Sequence, residues 1–326
     1  MSSLGGYYIV RSEDFVYNPR ISTSAPVGPI NRNKLGRIGV MSPLYTVFRP
    51  HDIDTTYLEY FFKSKYWHSF MNFNGDSGAR SDRFSIKDSV FFEMPIPIPH
   101  IDEQKKIGAF LDKLDSLITL HQRKYDKLTK VKKAMLEKMF PENGSPYPEI
   151  RFKGFTDAWE QRKLGDIASD MVAGGDIDKD LILAEGQYPV IANALTGDGI
   201  VGYYDKEYRV NAPAVTVTGR GDVGHAKARL VNFTPVVRLL SVKSEHDVFF
   251  LENVINTLKI VIESTGVPQL TVPQLAKYEV AFPRQLDEEE HIGAFFKQLD
   301  HLITLHQRKL EKLKNIKKAC LEKMFV

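Results

Sequence analysis

The chain has 326 residues, 43% of them hydrophobic, and its 44 lysines and arginines are nearly balanced by 41 aspartates and glutamates. This length fits two ordinary domains, and the 20 phenylalanines and 14 tyrosines exclude an intrinsically disordered protein. A formal net charge of +3 does not by itself identify a nucleic-acid-binding protein, so the positions of the charges carry more information than their sum.

The first segment, residues 1–101, has the mixed helix and strand pattern of a globular domain. The spacing of its apolar residues predicts an amphipathic helix over residues 56–71. A glycine-containing loop follows at residues 78–80, with Arg80 inside it and Arg83 just after it. A short strand and three prolines then lead to the next element: Pro95, Pro97 and Pro99.

The spacing of apolar residues over 102–141 predicts one long helix. Its seam residues recur mainly in steps of four and three, the heptad spacing of a helix that packs lengthwise on another helix. These positions are Ile107, Leu111, Leu114, Ile118, His121, Tyr125, Leu128, Met135 and Met139. With a rise of about 1.5 Å per residue, such a helix would be roughly 57 Å long.

The second segment, residues 142–286, again has the pattern of an α/β domain. Two runs rich in β-branched residues, 208–217 and 226–242, predict strands that are joined by a glycine-rich turn at residues 219–222. An amphipathic helix is predicted over residues 248–264. A glycine-containing loop then precedes Gln269, and Pro283 marks the entry to the last element.

Residues 287–326 repeat the first long helix. Positions 292–325 match positions 107–140 without a gap, and 24 of the 34 residues are identical. The seam positions are Ile292, Phe296, Leu299, Ile303, His306, Leu310, Leu313, Cys320 and Met324. We expect the two helices to pair antiparallel within the chain, and pairing with another chain is the competing interpretation. His121 and His306 are then polar residues of the seam and not metal ligands.

Polar residues in corresponding loops of the two segments form a candidate DNA-binding set. Lysine and arginine contact phosphates, while arginine and glutamine also contact base edges in the major groove. Arg220 lies on the glycine-flanked turn, and Lys227 and Arg229, two residues apart, share one face of a strand. The set is Arg80, Arg83, Arg220, Lys227, Arg229 and Gln269. Taken singly, each is more often a solvated surface residue; as a set, we interpret them as DNA contacts.

The second halves of both long helices are basic. Residues 121–138 and 306–323 each contain seven lysines or arginines against two acidic residues. These side chains are interpreted as solvated faces of the helix pair, as contacts to DNA, or as contacts to partner subunits. The sequence leaves these roles open.

No enzyme motif occurs in the context that its chemistry needs. Residues 219–224 match G-x-G-x-x-G, but a strand and not a helix is predicted to follow, so a hairpin turn is the better interpretation. We find no P-loop, no histidine or cysteine spacing typical of a metal site, and no nucleophile with a plausible base. The single cysteine excludes a disulfide scaffold, and no apolar run reaches the ~18–20 residues of a membrane helix. We predict a cytoplasmic protein without a metal.

Three features together resemble the specificity subunit of type I restriction–modification systems. They are WEQRKLGDIA at 159–168, TVTGRGDVGHA at 216–226, and the two long helices with their IGAF, LHQRK and LEKMF segments. The resemblance covers nearly the whole chain. It implies a mixed α/β (α+β) fold with two target recognition domains separated by two long antiparallel coiled-coil helices. We assign the two recognition domains to residues 1–101 and 142–286, and the two spacer helices to residues 102–141 and 287–326.

The same resemblance implies a non-catalytic subunit that reads a bipartite site on double-stranded DNA. Two methyltransferase subunits would dock on it, use S-adenosylmethionine and flip the target adenine out of the duplex. Restriction subunits with an ATP- and magnesium-dependent motor would join them, and the chain itself would bind no cofactor. Tyr208 aligns with Tyr8, so the lead-in at 159–168 has no counterpart before the first domain, which we expect to be N-terminally truncated.

Three other interpretations remain open at the level of sequence. The chain would be a partial or silent specificity-subunit product if its first domain no longer reads DNA. It would be a coiled-coil adaptor if it has no DNA affinity, in which case salt would not weaken its binding. It would be a stand-alone methyltransferase or nuclease if the purified chain were active.

Overall fold

The computed structural model describes residues 3–4, 6–76, 82–142, 144–261 and 268–325. The two predicted long helices are present, each 38 residues long. The chain divides into two compact units, and each long helix contributes to both. Unit 1 comprises Met1–Lys124 and His306–Val326, and unit 2 comprises Tyr125–Leu305. The boundaries assigned from the sequence follow the helix ends, whereas each compact unit includes the helix halves that pack on it.

Unit 1 contains two small antiparallel sheets, three short helices and parts of the two long ones. Its elements are β1 (Ser3–Leu4), β2 (Tyr7–Val10), β3 (Phe15–Tyr17), β4 (Ile30–Arg32), β5 (Gly39–Met41), β6 (Thr46–Phe48), α1 (Thr55–Lys63), α2 (Tyr66–Asn74), α3 (Asp88–Phe91) and the first part of α4 (Ile101–Lys138). The strand orders are β1-β2-β5 and β4-β3-β6. The core lies between β3 and α1, where Phe15, Tyr57 and Phe61 are almost fully buried.

The single helix predicted over residues 56–71 is in fact two helices, α1 and α2. The break lies at Ser64, whose backbone is extended and whose N–H bonds to the carbonyl of Phe61. The Ser64 hydroxyl donates to the same carbonyl at 2.6 Å, and the Trp67 indole donates to the Phe62 carbonyl at 3.0 Å. These bonds satisfy carbonyls that the end of α1 leaves without helical partners, so the chain can change direction here.

Unit 2 contains a larger set of strands. Its elements are the second part of α4, then β7 (Glu160–Lys163), α5 (Leu164–Ile167), β8 (Ala168–Ala173), β9 (Tyr188–Ile191), β10 (Ile200–Tyr204), β11 (Ala214–Thr218), β12 (Ala226–Arg229), β13 (Thr234–Pro235), β14 (Leu239–Ser244), α6 (Val248–Asn256), α7 (Val272–Leu275), β15 (Glu279–Phe282) and the first part of α8 (Leu286–Lys323). The strand orders are β12-β11-β14-β8, β10-β9-β13 and β15-β7. The core lies where Val215, Val217 and Val242 of the four-stranded sheet face Phe250 of α6.

Helix α6 is shorter than the helix predicted over residues 248–264. It ends at Asn256, whose side chain exchanges two hydrogen bonds with the backbone of Ala226 in β12, at 2.9 and 3.0 Å. Residues 257–261 are not helical, and residues 262–264 lie outside the described residues. The apolar pattern continues past Asn256, but a contact with a distant strand fixes where the helix ends.

The central sheets of the two units have the same internal order. Strand β3 lies between β4 and β6, and β11 lies between β12 and β14, with antiparallel pairing throughout. Helices α1 and α6 follow these sheets, and each begins at an aspartate, Asp54 or Asp247, that accepts a backbone N–H at 2.8 Å. Counted from these caps, Glu59 and Glu252 occupy the same helical position.

The repeated IGAF sequence places a glycine against each of these caps. A Cβ on Gly108 would lie 3.2 Å from Asp54 Oδ1, and a Cβ on Gly293 would lie 2.0 Å from Asp247 Oδ1. At Gly293 the long helix therefore approaches the cap more closely than a residue with a side chain allows, and at Gly108 the approach is tight. This packing explains why glycine stands inside a helix, where it otherwise costs stability.

The long helices pair antiparallel within each unit. The contacts are, in unit 1, Asp115–Lys317 and His121–His306, and in unit 2, Lys132–Asp300 and Phe140–Phe296. In both units the residue number falls on one helix as it rises on the other, so the predicted intramolecular antiparallel pairing is confirmed. Across the described ranges, no helix combines the length and the apolar composition needed to cross a membrane.

Candidate nucleic-acid interface

Arg220 lies in a tightly held loop between β11 and β12. The Thr218 N–H bonds to the His225 carbonyl at 3.0 Å, which closes the hairpin. A Cβ on Gly219 would lie 2.1 Å from the carbonyl oxygen of Arg238, so only glycine fits at the start of the loop. A strand follows the loop, and the helix that a dinucleotide-binding turn needs is not there. The hairpin therefore holds the exposed Arg220 at the end of the central strand.

The structure brings Arg220 and Gln269 together, although 48 residues separate them in the chain. They form an isolated antiparallel bridge, supported by a 2.9 Å hydrogen bond from the Leu270 N–H to the Gly219 carbonyl. Gln269 is half-buried and Arg220 is exposed. Arginine and glutamine are two of the side chains that make paired hydrogen bonds to base edges, arginine to guanine and glutamine to adenine. Their juxtaposition is chemically suited to reading adjacent bases.

Unit 1 has an arginine pair at the same place in its own sheet. Arg20, just after β3, forms an isolated antiparallel bridge with Arg83. The Phe84 N–H bonds to the Pro19 carbonyl at 2.8 Å, the counterpart of the bond between Leu270 and Gly219. Arg20 is exposed, and Arg83 Nε lies 3.9 Å from Asp82 Oδ2. The predicted Arg80 lies outside the described residues.

The sequence-based set omitted Arg20. The signal that identifies it is a spacing: Tyr8 aligns with Tyr208, and the same offset of 200 residues aligns Arg20 with Arg220. Both arginines follow an apolar strand by three residues or fewer. Pro19 precedes Arg20, whereas Gly219 precedes Arg220. The match is hard to recognise in the sequence because glycine indicates a turn more clearly than proline does here.

Lys227 and Arg229 do not lie beside Arg220 but line a cleft of about 590 Å³ in unit 2. Lys227 Nζ lies 2.9 Å from Asp198 Oδ1, and Arg229 Nε donates to Thr216 Oγ1 at 3.0 Å. Burial lowers the pKa of Arg229. A DNA contact by either residue would replace an existing partner. Arg229 is half-buried, whereas Lys227 is exposed.

The far wall of the cleft is formed by α6 and the long helices. Lys132 Nζ lies 2.6 Å from Asp300 Oδ1 and joins the two long helices. Glu252 of α6 also faces the cleft. Burial raises the pKa of Glu252, with a further contribution from the negative charge of Asp300, while Lys132 and Lys227 act in the opposite direction. The cleft is therefore polar and holds charges of both signs.

The predicted seam residues lie on the paired faces of the long helices. Leu114 is buried in the core of unit 1 and Leu299 in the core of unit 2. Ile118 and Ile303 line grooves beside the same seam. His121 Nδ1 and His306 Nδ1 lie 2.9 Å apart, so one ring must donate to the other. In the part of the chain that the structure describes, no group of three or more metal-ligating side chains is suited to hold an ion.

Comparisons with known proteins agree with this architecture. The family model of the type I restriction modification DNA specificity domain matches residues 8–130 and 156–315. Two Mycoplasma pneumoniae proteins assigned as type I specificity subunits are each 27% identical to this chain, over 217 and 226 residues, which is 65% and 67% of the chain. The alignments span 57% and 67% of those proteins' own lengths.

A solved structure has the same fold. The S subunit of a type I restriction–modification system from M. genitalium superposes with a TM-score of 0.69 at 14% identity, covering 97% of this chain and 84% of that one. At this identity the likeness speaks for the fold alone. It confirms the predicted mixed α/β architecture with two long helices.

Proposed function

Because this chain belongs to the family of type I restriction–modification DNA specificity domains, we propose that it reads a bipartite sequence on double-stranded DNA. Each unit would read one part of the site. Specificity subunits are not catalytic, so the chain is a recognition component and not an enzyme. The chain would act in the cytoplasm, the location predicted from the sequence.

One observation carries this proposal: just beyond the central strand of each unit, a backbone β-bridge places two polar residues side by side. In unit 2 the bridge joins Arg220 to Gln269, and in unit 1 it joins Arg20 to Arg83. The backbone position is shared and the side chains differ. A split, asymmetric site has two different half-site sequences. Two units that share one backbone geometry but present different side chains are suited to read them.

The partners are proposed from the family and from the repeat. Two methyltransferase subunits would dock on two equivalent surfaces, since LHQRK occurs in each long helix at the same repeat position. S-adenosylmethionine would belong to those subunits, and ATP and magnesium would belong to the restriction subunits. This chain would hold no cofactor of its own.

The long helices are proposed to set the distance between the two parts of the site. Each helix is continuous over 38 residues, and the heptad seam fixes their register. Inserting four residues in a long helix should change the number of unread base pairs between the half-sites and leave the letters of both half-sites unchanged. Altered letters would contradict this role.

The direct test combines binding and methylation. DNA binding by the chain assembled with its cognate methyltransferase subunits should weaken steeply as salt rises, because phosphate contacts release counterions. Mapping methylated adenines across a genome should then give a motif with two defined parts. Salt-independent binding would contradict DNA reading and favour an adaptor, and a motif with one defined part would show that one of the two units does not read.

A further inference from the structure

The residue before Arg220 is anchored to the rest of unit 2 through both of its backbone polar groups. The Gly219 N–H donates to the side-chain oxygen of Asn193 at 2.8 Å, and the Gly219 carbonyl accepts the Leu270 N–H at 2.9 Å. On a third side, a Cβ at this position would lie 2.1 Å from the Arg238 carbonyl oxygen. The backbone that leads into Arg220 is therefore fixed in position and in direction.

Asn193 is the side chain among these anchors, and it is itself held in one orientation. Its amide nitrogen donates to the Val237 carbonyl at 3.0 Å, so the amide is bound at both ends and its oxygen is turned towards Gly219. Asn193 is half-buried and follows β9, whose last residue, Ile191, accepts the Val236 N–H at 2.8 Å. The side chain thus joins β9, the turn before β14 and the start of the hairpin.

The hairpin has its own internal hydrogen bonds, which do not involve Asn193. The Thr218 hydroxyl donates to the Asp222 carbonyl at 2.5 Å and accepts the His225 N–H at 3.0 Å. Strands β11 and β12 also pair antiparallel on either side of the turn. We therefore expect the hairpin to form without the Asn193 bond. What Asn193 adds is the direction in which the hairpin leaves the sheet.

This direction matters more for base contacts than for phosphate contacts. Glycine has no side chain to restrict its φ and ψ angles, so the bond at the Gly219 N–H is an important restraint on the backbone here. Arg220 is exposed, and a small rotation at Gly219 would displace its distant guanidinium. Paired hydrogen bonds to a base edge require a defined geometry, whereas attraction to a phosphate charge falls slowly with distance.

Unit 1 restrains its own arginine by a different route. Pro19 stands before Arg20, and its ring fixes the φ angle that glycine leaves free in unit 2. Proline also has no N–H to anchor, and here the next one along the chain is bound: the Arg20 N–H donates to Asn18 Oδ1 at 3.0 Å. A restraint on the backbone at the reading arginine therefore occurs in both units, and in unit 2 it comes from a residue distant in sequence.

We propose that Asn193 is a positioning residue for the base contacts of unit 2, acting through Gly219 on the direction in which Arg220 is presented. This inference rests on the proposed function, in which Arg220 contacts bases. Asn193 then determines how strictly the bases of one half-site are read, and it has little influence on whether the chain binds DNA.

The test measures discrimination at each base position. The full chain, assembled with its cognate methyltransferase subunits, binds a library of random-sequence DNA duplexes, and the bound duplexes are sequenced. Asn193→Ala should lower discrimination about fivefold or more at the positions that Arg220→Ala also relaxes, which corresponds to the loss of one base contact. Discrimination in the other half-site should not change. The slope of affinity against salt concentration should also stay the same, because the phosphate contacts remain.

Asn232→Ala is the matched control. The Asn232 side-chain oxygen accepts the Ala212 N–H at 2.8 Å, and Asn232 is half-buried like Asn193. This bond lies before the start of β11, at the opposite end of the strand from Arg220. The control variant loses the same kind of bond in the same unit and should keep full discrimination. Equal losses of discrimination in the two variants would show a general structural role and overturn the proposal.

A conservative variant keeps the test decisive if Asn193→Ala does not fold, which circular dichroism checks. Asn193→Asp keeps an oxygen that can accept the Gly219 N–H and loses the donor to Val237. It should therefore retain more discrimination than Asn193→Ala, or, if that variant is unfolded, more than Arg220→Ala. Discrimination no better than in these reference variants would overturn the role of the Gly219 bond.

The same data separate this inference from the proposed function. If Arg220→Ala relaxes a half-site and folded Asn193→Ala does not, the positioning role of Asn193 is wrong and the reading role of Arg220 stands. If Arg220→Ala leaves every position unchanged, Arg220 does not read bases, and both are overturned.

Discussion

Units 1 and 2 place a glutamate at the same position of corresponding helices but treat its charge differently. In unit 1, Arg32 Nη2 lies 2.6 Å from Glu59 Oε2, and Lys63 Nζ lies 2.7 Å from Glu59 Oε1. Burial alone would raise the pKa of Glu59, but the hydrogen bond and charge of Lys63 and the charges of Arg32 and Lys34 lower it overall. In unit 2 the pKa of Glu252 is raised.

The difference follows from a change of residue at one pair of corresponding positions. Arg32 pairs with Phe15 as Ala228 pairs with Val215, so alanine stands in unit 2 where unit 1 has the arginine. With the large side chain gone, the cleft that contains Lys227 and Arg229 opens beside Glu252. One topology thus carries a closed, ion-paired interior in unit 1 and a polar cleft in unit 2.

The largest effect on this difference between the units is expected from removing the buried Arg32. Arg32→Ala should destabilise unit 1 by roughly 1.5–3 kcal/mol, because it removes one of the charged partners of a carboxylate that is only 8% exposed. Lys227→Ala is the matched control: it breaks an exposed pair in unit 2 and should cost less than ~1 kcal/mol. Hydrogen exchange of α1 and α6 amides measures the two effects separately. Equal losses in both variants would contradict the assigned difference.

The repeated glycines offer a second contrast. Gly293→Ala should destabilise unit 2 by about 1–3 kcal/mol, because its Cβ would collide with Asp247 Oδ1, which caps α6. Gly108→Ala should be nearly neutral, because its nearest contacts of 3.1–3.2 Å need only small shifts and alanine favours the helix. Thermal unfolding of both variants checks the order, and a larger loss for Gly108→Ala would reverse it.

The two glutamates should respond oppositely to pH. Folded unit 2 keeps a proton on Glu252 where the unfolded chain has lost it, so this contribution to stability falls as pH rises from about 4.5 through the raised pKa. For Glu59 the contribution is present above 4.5 and is lost as pH falls through the lowered pKa. At pH 7, Glu252→Gln should therefore stabilise unit 2 and Glu59→Gln should destabilise unit 1. Hydrogen exchange at pH 4 and pH 7 measures the stability change of each unit. Stability changes of the same sign in the two variants at pH 7 would contradict the opposite pKa shifts.

The smallest effect is expected at the histidine pair. Burial, His121 and the charges of Lys124 and Lys309 lower the pKa of His306. Unit 1 should therefore lose stability as pH falls from about 6.5 through the lowered pKa, since the unfolded chain takes up the proton more readily. His306→Asn should reduce this pH dependence. An unchanged pH profile in the variant would contradict the assignment of this pH dependence to His306.

The long helices could be predicted from the sequence because their information is local. Heptad spacing and a repeat of 34 residues define them without reference to the rest of the chain. The end of α6 could not be predicted in the same way, because Asn256 is held by Ala226, which lies thirty residues earlier. The spacing of apolar residues in one segment cannot predict a contact with a distant strand.

The candidate interface shows the same limit. Arg220 was recognisable on its glycine-flanked turn, but its pairing with Gln269 depends on a bridge between distant parts of the chain. Lys227 and Arg229 were grouped with Arg220 by closeness in sequence, yet β12 turns their side chains into the cleft. Arg20 is identified as the counterpart of Arg220 only when the two units are compared.

The most direct measurement changes one reader at a time. Arg220→Ala and Arg20→Ala are each assembled with the cognate methyltransferase subunits, and methylated sites are mapped genome-wide, with Arg284→Ala, which breaks an exposed pair elsewhere in unit 2, as the control. Each bridge variant should relax one part of the motif, at a cost of about 1–3 kcal/mol per lost base contact, and leave the other part and the spacing intact. If both variants keep the full motif, or if either alters both parts, the two units do not read DNA through these bridges.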